Sequence, residues 1–263
     1  MKYGILWIFI CCSAIVLGQN PKPSLVKMDS IRFNGDAFLG YDSFGFYYTI
    51  NNNVFSKINK RETLEYKNVS LGKITKVDLQ NPLKIVLFYE NFNTVVTLDN
   101  QLNETQKINF SENPIPIVAT AIGIASQNQL WVYNSMNQQL GLYDYLSATY
   151  KTISVPFTES IKNYVSDFNV FHWIDIKNNW YMSDIFGKIT SNGKVPDFDS
   201  ISIINQNQFM YSKNSVLILH DLEKETKTRI EISEKTFKKF YYKDQILSIF
   251  TATGITNYKI TIP

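Results

Sequence analysis

The stretch Asn128-Gln129-Leu130-Trp131-Val132-Tyr133 is followed, after a short polar gap, by Leu140-Gly141-Leu142-Tyr143-Asp144. Two brief apolar runs, split by Asn, Ser and Gln and ended by Asp, read as two strands joined by a tight turn. Helical periodicity is hard to find on either side. Apolar residues instead come in runs of four to eight, often alternating, with Asn, Asp, Ser and Gly between them. Phe44 to Ile50, Leu83 to Tyr89, Trp180-Tyr181-Met182, Val216 to Leu219 and Ile246 to Phe250 repeat the theme. Sixteen Tyr and eighteen Phe, with a visible excess of Val, Ile and Thr, lean the same way, because such side chains suit a pleated surface. The chain reads as all-β.

Spacing then separates a sandwich from a ring. The second strand of each pair has the form apolar-x-x-apolar followed by a polar turn residue. It is found at Phe55 to Ile58, Val95 to Leu98, Leu140 to Tyr143, Phe186 to Ile189 and Val216 to Leu219, with a degraded copy ending at Ile260. Their last apolar residues follow one another at intervals of 40, 45, 46, 30 and 41. A repeat near forty residues built wholly of strands is the size of a propeller blade of four strands. Six such units predict a single six-bladed β-propeller. An irregular sandwich, two small β domains, or a ring of five or seven blades are the alternatives. The prolines fall mostly between runs, where a missing N–H breaks no ladder. The last unit has room for only two or three strands, and Leu25 to Phe33 is surplus to the first. Pairing these two ends closes the ring and removes an exposed edge.

The 263 residues are 44% hydrophobic and 19% charged, with a net charge of +3, which excludes disorder, collagen and coiled coil. Met1-Lys2 and the uncharged run Gly4 to Leu17 match a secretory signal and are too short to cross a bilayer as a helix. Val16 and Gly18 suit cleavage before Gln19. The expectation is a signal peptide over 1–18 and one propeller domain over 19–263. Phe9-Ile10 before Cys11 and Ile10-Cys11 before Cys12 do not fit a lipoprotein signal, so no lipid anchor is expected. Both cysteines leave with the leader, and the mature chain rests on its core alone, without disulfides. No second run reaches membrane length. The expected location is periplasmic or extracellular, as a soluble protein.

On period and strand pattern the chain resembles the extracytoplasmic six-bladed propellers. It has no Trp-Asp dipeptide closing each blade, no repeated Asp-box and no Asn-His-Leu. Asn128 to Tyr133 and Asn207-Gln208-Phe209-Met210-Tyr211 look like the inner strands of such repeats. The leader ending Val-Leu-Gly before Gln, with twenty-six Asn and abundant Lys and Ile, is similar to envelope proteins of AT-rich Gram-negative bacteria. The resemblance implies an accessory subunit of an outer-membrane assembly or type 9 secretion-like complex.

No His-Glu-x-x-His, Gly-x-Ser-x-Gly, Walker loop, Rossmann glycine pattern, EF-hand loop or Cys-x-x-Cys is present. His172 and His220 are the two histidines; His220 and Asp221 point to opposite faces of a strand and form no dyad by adjacency. No catalytic residue, metal or cofactor is assigned. Asp197-Phe198-Asp199 could place two carboxylates on one face of a strand for Ca²⁺. Asp36, Asp78, Asp167 and Asp244 fall at blade-like intervals and could converge in a channel, although turn duty explains isolated Asp equally well.

Aromatic density from Phe171 to Phe186 is the most distinctive local feature. Trp173, Trp180 and Tyr181 there, with Trp131 and Tyr133, are the candidate partner-binding residues, since large aromatics anchor proteins or stack on sugars. Packing between blades is the competing use of the same side chains. Three Asn-x-Ser/Thr matches are no more than this composition gives by chance. Lys235, Lys238, Lys239 and Lys243, interleaved with Phe237, Phe240, Tyr241 and Tyr242, read as a solvated face, and export argues against nucleic acid. The expected function is therefore a non-enzymatic propeller that binds a protein in the cell envelope. A metal-assisted hydrolase of a lactone, ester or glycan and a carbohydrate-binding propeller are the alternatives.

Overall fold

A computed structural model describes residues 23–262. The predicted signal peptide, with Cys11 and Cys12, lies outside them. Six four-stranded antiparallel sheets hold the strands of the described residues. Strand β1 (Ser24–Arg32) is followed by blade 1, formed by β2 (Ala37–Tyr41), β3 (Tyr47–Asn51), β4 (Val54–Ile58) and β5 (Thr63–Tyr66). Blade 2 holds β6 (Lys76–Asp78), β7 (Ile85–Tyr89), β8 (Thr94–Leu98) and β9 (Glu104–Asn109). Blade 3 holds β10 (Ala119–Ile124), β11 (Gln129–Asn134), β12 (Gln139–Asp144) and β13 (Thr149–Thr152). In blade 4 these are β14 (Ile161–Ser166), β15 (Val170–Asp175), β16 (Asn179–Asp184) and β17 (Ile189–Lys194). Blade 5 has β18 (Ser200–Ile203), β19 (Gln208–Lys213), β20 (Val216–Asp221) and β21 (Thr226–Ile230). Blade 6 has β22 (Lys239–Lys243), β23 (Ile246–Phe250) and β24 (Gly254–Thr261), and takes β1 as its outermost strand. The molecule is a six-bladed β-propeller.

Closure follows the sequence-based expectation. Strands β1 and β24 pair from Ser24↔Thr261 to Arg32↔Gly254. At this seam Asn257 Nδ2 donates to Asp29 Oδ1 at 2.6 Å and to the Tyr41 hydroxyl at 2.7 Å. Its Oδ1 accepts from Ser248 Oγ at 2.8 Å. One buried amide thus ties both outer strands of blade 6 to blade 1, with its polar atoms satisfied.

The core is divided among the blade interfaces. Tyr48, Phe55, Leu87 and Val96 pack blade 1 on blade 2, and Phe88, Phe110, Val132 and Tyr143 pack blade 2 on blade 3. Trp131, Phe157, Phe171 and Trp173 fill the next interface, and Trp180, Phe198, Phe209 and Tyr211 the one after. Met210, Leu219, Phe240 and Leu247 join blade 5 to blade 6, while Phe38, Phe250 and Ile255 return to blade 1. Each wedge-shaped gap needs bulk, which accounts for the aromatic-rich composition.

The repeat has a physical cause. At the end of the third strand of each of the first five blades, as its last residue or the next one, stands an Asx residue: Asn59, Asp99, Asp144, Asp184 and Asp221. Their Oδ1 atoms accept backbone N–H groups two to four residues on, for example from Arg61 and Glu62, Gln101 and Asn103, Leu146 and Ser147, and Phe186 and Lys188. Asp221 accepts from Lys224. This Asx turn redirects the chain into the outer strand.

The fourth unit corrects the sequence alignment. Its third strand is β16, not Phe186 to Ile189; Phe186 sits at the turn, 85% exposed. Ser183, fully buried, occupies the position that is apolar in most other blades, so the pattern match slid past it. Counting from the Asx residues, the first five units recur at 40, 45, 40 and 37 residues, and the outlying interval of 30 disappears.

Candidate functional site

Connections from each outer strand to the next blade, and from the second strand to the third, lie on one face of the ring. They are bonded to each other by a recurring asparagine device. Asn53 Nδ2 donates to the Gly72 carbonyl at 2.6 Å while its Oδ1 accepts from Ile74 N at 2.9 Å. Forty residues on, Asn93 Nδ2 donates to the Ile117 carbonyl at 2.7 Å and Oδ1 accepts from Ala119 N at 2.9 Å. Both hold a left-handed backbone, φ 61° and 48°, that asparagine tolerates better than most residues. The amide thus fixes both its own turn and the loop entering the next blade.

This loop face carries exposed apolar side chains from three successive blades. Phe92, Ile115, Val118, Met136, Val155 and Ile176 all lie on it, between the second strand of blade 2 and the third of blade 4. Val69 extends the series toward blade 1. Isolated exposed hydrophobics are ordinary; these are gathered along one arc of a single face. The loops are rigid: Asn134 Oδ1 accepts from Val118 N and Met136 N, and its Nδ2 donates to the Pro116 carbonyl.

The second feature is the central channel, a cavity of about 1220 Å³ lined by the innermost strands. On one side these strands are stitched together across blades. Asp78 Oδ2 accepts from Ile124 N at 2.7 Å, the Tyr164 hydroxyl accepts from Ile122 N at 3.1 Å, and Lys76 Nζ donates to the Tyr164 carbonyl at 3.3 Å. Gly123 permits this, since a Cβ there would stand 1.9 Å from Ser166 Oγ. Burial pushes the Asp78 carboxyl and the Tyr164 hydroxyl up. Lys76 is pulled down to about 8, by burial first and then by the like charge of Lys239. The other side of the channel carries Ser200, Ser202, Lys239, Tyr241 and Lys243.

Sequence-predicted residues take other places. Trp131 and Trp180 are fully buried, and Trp173 and Tyr133 nearly so, all between blades. Phe157 stacks on Trp173 at 4.1 Å, Tyr133 on Phe157 at 5.0 Å, and Tyr181 on Trp173 at 5.3 Å. Of the five, Tyr181 alone keeps appreciable exposed surface; the other four spend their faces on the core rather than on a partner. Lys238, Lys239 and Lys243 line the channel instead of a solvated outer face. The signal for them was visible as basic residues around Phe240 and Tyr241, but sequence does not say that β22 is an innermost strand.

The carboxylates are already engaged. Asp197 accepts from Lys213 at 2.7 Å and Lys162 at 3.0 Å, which hold it down to about 2, and Asp199 accepts from Asn214 N. Asp36 accepts from Asn52 N, Asp167 from Asn169 N and Val170 N, and Asp244 occupies a tight turn at φ 49°. Among the described residues no three His, Cys, Asp or Glu side chains gather as a metal site. The converging set that a channel-bound cation needs is replaced by turn bonds and lysine pairs.

His172 and His220 share the interface of blades 4 and 5, linked through Trp180 and Phe209. Their Nδ1 atoms are buried without hydrogen-bond partners. Burial holds both below the ordinary imidazole range; Lys227 adds to the effect at His220. The folded state therefore binds fewer protons than the unfolded chain below about pH 6.5. Stability is full above that value and falls as pH drops through it. Thermal unfolding at pH 7.5 and 5.5 is expected to show a lower Tm at pH 5.5. The drop should shrink in a His172→Phe/His220→Phe variant, while the paired Asp197 acts only at more acid pH. An equal drop in the variant would refute the assignment.

No family model and no curated protein sequence matches the chain. Among solved structures, the Cps50 (Swd1) β-propeller domain of Myceliophteria thermophila has a TM-score of 0.58 at 9% identity, over 90% of this chain and 100% of that one. Virginiamycin B lyase from Staphylococcus aureus gives 0.57 at 14%, over 86% and 80% respectively. A member of the DUF4221 family from Bacteroides vulgatus gives 0.52 at 9%, over 92% and 99%. At these identities the likeness is one of fold. It spans protein types as different as an enzyme and a Swd1 propeller. No helix among the described residues is long and apolar enough to cross a membrane.

Proposed function

We propose that the protein is an exported, non-enzymatic propeller that docks a protein partner of the cell envelope on its loop face. The observation that carries this reading is the arc of Phe92, Ile115, Val118, Met136, Val155 and Ile176, the first four on loops braced by Asn93 and Asn134. A rigid scaffold that presents apolar side chains loses little conformational freedom on binding, so each contributes to affinity. Export rests on the leader-like segment Met1 to Gly18. An accessory role in an outer-membrane secretion or assembly complex is the context that the resemblance suggests.

Affinity capture from the native envelope tests it. The wild-type chain should recover a defined partner, and a Phe92→Asp/Ile115→Asp/Met136→Asp variant should bind it at least about tenfold more weakly, as expected for central apolar contacts. Its Tm should stay within a few degrees of wild type, since all three side chains are exposed. A wild-type chain that recovers no partner, or a variant that retains full binding, would overturn the reading.

A further inference from the structure

The channel lining carries more cationic than anionic side chains. Five lysines, Lys73, Lys76, Lys238, Lys239 and Lys243, line it against three aspartates, Asp36, Asp78 and Asp199. Each aspartate is already engaged: Asp36 by Asn52 N, Asp78 by Ile124 N and Gln80 N, Asp199 by Asn214 N and the Lys213 ammonium. None of the five lysines lies within ion-pair distance of a carboxylate among the described residues.

Lys76 and Lys239 come from blades 2 and 6, which flank blade 1. Between them the innermost strand β2 contributes Ala37, Phe38 and Leu39 to the channel lining, and no cation. Gly40, at φ +130°, lets the Tyr241 ring lie where a Cβ would stand 2.4 Å from it. Burial first, and then the like charge of Lys239, depress the proton affinity of Lys76, so two of these cations already sense one another. Ser200 and Ser202 add hydroxyls on the neighbouring innermost strand. No arginine lines the cavity, so the planar two-pronged recognition of a carboxylate is missing; ammonium point charges and hydroxyls suit a tetrahedral oxyanion.

We propose that the central channel binds a small ligand through a phosphate-type oxyanion held by the lysines of its wall, Lys239 and Lys243 with the Ser200 and Ser202 hydroxyls, in the field that Lys76 adds. The cavity exceeds the size of one phosphate, so it accommodates the body of an ester as well as the free anion.

The test is thermal unfolding of the whole protein titrated with inorganic phosphate at constant ionic strength, with chloride and acetate as comparisons. Phosphate should raise Tm saturably, and acetate and chloride should not. Lys239→Met should weaken the apparent phosphate affinity at least about tenfold. Lys239 is exposed along the channel wall, so that variant keeps the fold; Lys76→Met repeats the test if it folds. Lys60→Met, remote from the channel, should respond as wild type. A greater shift with glucose 6-phosphate places an ester in the channel, and an equal one places the free anion; either upholds the proposal. No saturable shift with phosphate, an equal shift with acetate, or an unchanged response in Lys239→Met would overturn it.

Discussion

Deleting Ser24–Arg32 should abolish cooperative unfolding and leave a chain that aggregates. The deletion strips blade 6 of its outermost strand, exposes the whole outer edge of β24, and removes Asp29 from the Asn257 bonds. Unpaired edges of that length recruit other chains. Size-exclusion chromatography with urea unfolding followed by circular dichroism is the check. A monomer that unfolds in one transition at the wild-type midpoint would show that the ring does not depend on closure. A point variant probes the same seam more gently. A Cβ at Gly254 would stand 2.2 Å from the Ile31 carbonyl oxygen, a backbone atom that cannot swing away. Gly254→Val should therefore cost about 2–3 kcal/mol, or a Tm loss of roughly 4–12 °C in a chain of this size.

Trp180→Ala should be the most damaging single core truncation, at about 3–5 kcal/mol. Trp180 is fully buried, lies edge-on to Phe209 with ring centroids 5.8 Å apart, and sits in the interface that also holds both histidines. Its Nε1 is buried with no partner, which itself works against the fold. Trp180→Phe removes part of the ring together with that unpaired N–H, so it should cost less than half as much as alanine. Urea midpoints of the two variants measure the contrast. Equal losses would mean that the ring volume Phe retains contributes nothing, which would refute the cavity argument.

These two sites also show where sequence reading worked. The blade period was legible because an Asx residue must end each third strand to turn the chain, and Asn59, Asp99 and Asp144 stand in plain view. Closure was legible because one unit lacked a strand and the start of the chain had one to spare. The fourth unit misled because Ser183, a buried hydroxyl, stands where the pattern wanted an apolar residue. The candidate site was harder to see. Tryptophans that look like anchors in one dimension are wedges in three, since Trp131 and Trp180 face neighbouring blades rather than solvent. Conversely, Lys239 and Lys243 look like ordinary surface charges until β22 is known to line the axis. Phe92 and Met136 become one surface only when loops from separate blades are gathered on one face. Local pattern encodes strands and turns; which strand is innermost is a property of the closed ring.

The Ser30–Thr256 hydroxyl contact joins residues 226 positions apart. Nearly the whole chain lies between the partners of that seam, so its pairing demands the longest loop closure in the molecule. During synthesis β1 must wait, unpaired, for β24. Folding speed falls as contacts grow more distant in sequence, and open strands are exposed in the meantime. Timing thus separates blade 6 from the other five: each of those can assemble from its own hairpins, whereas the sixth exists only once β24 has joined β1 across all of them.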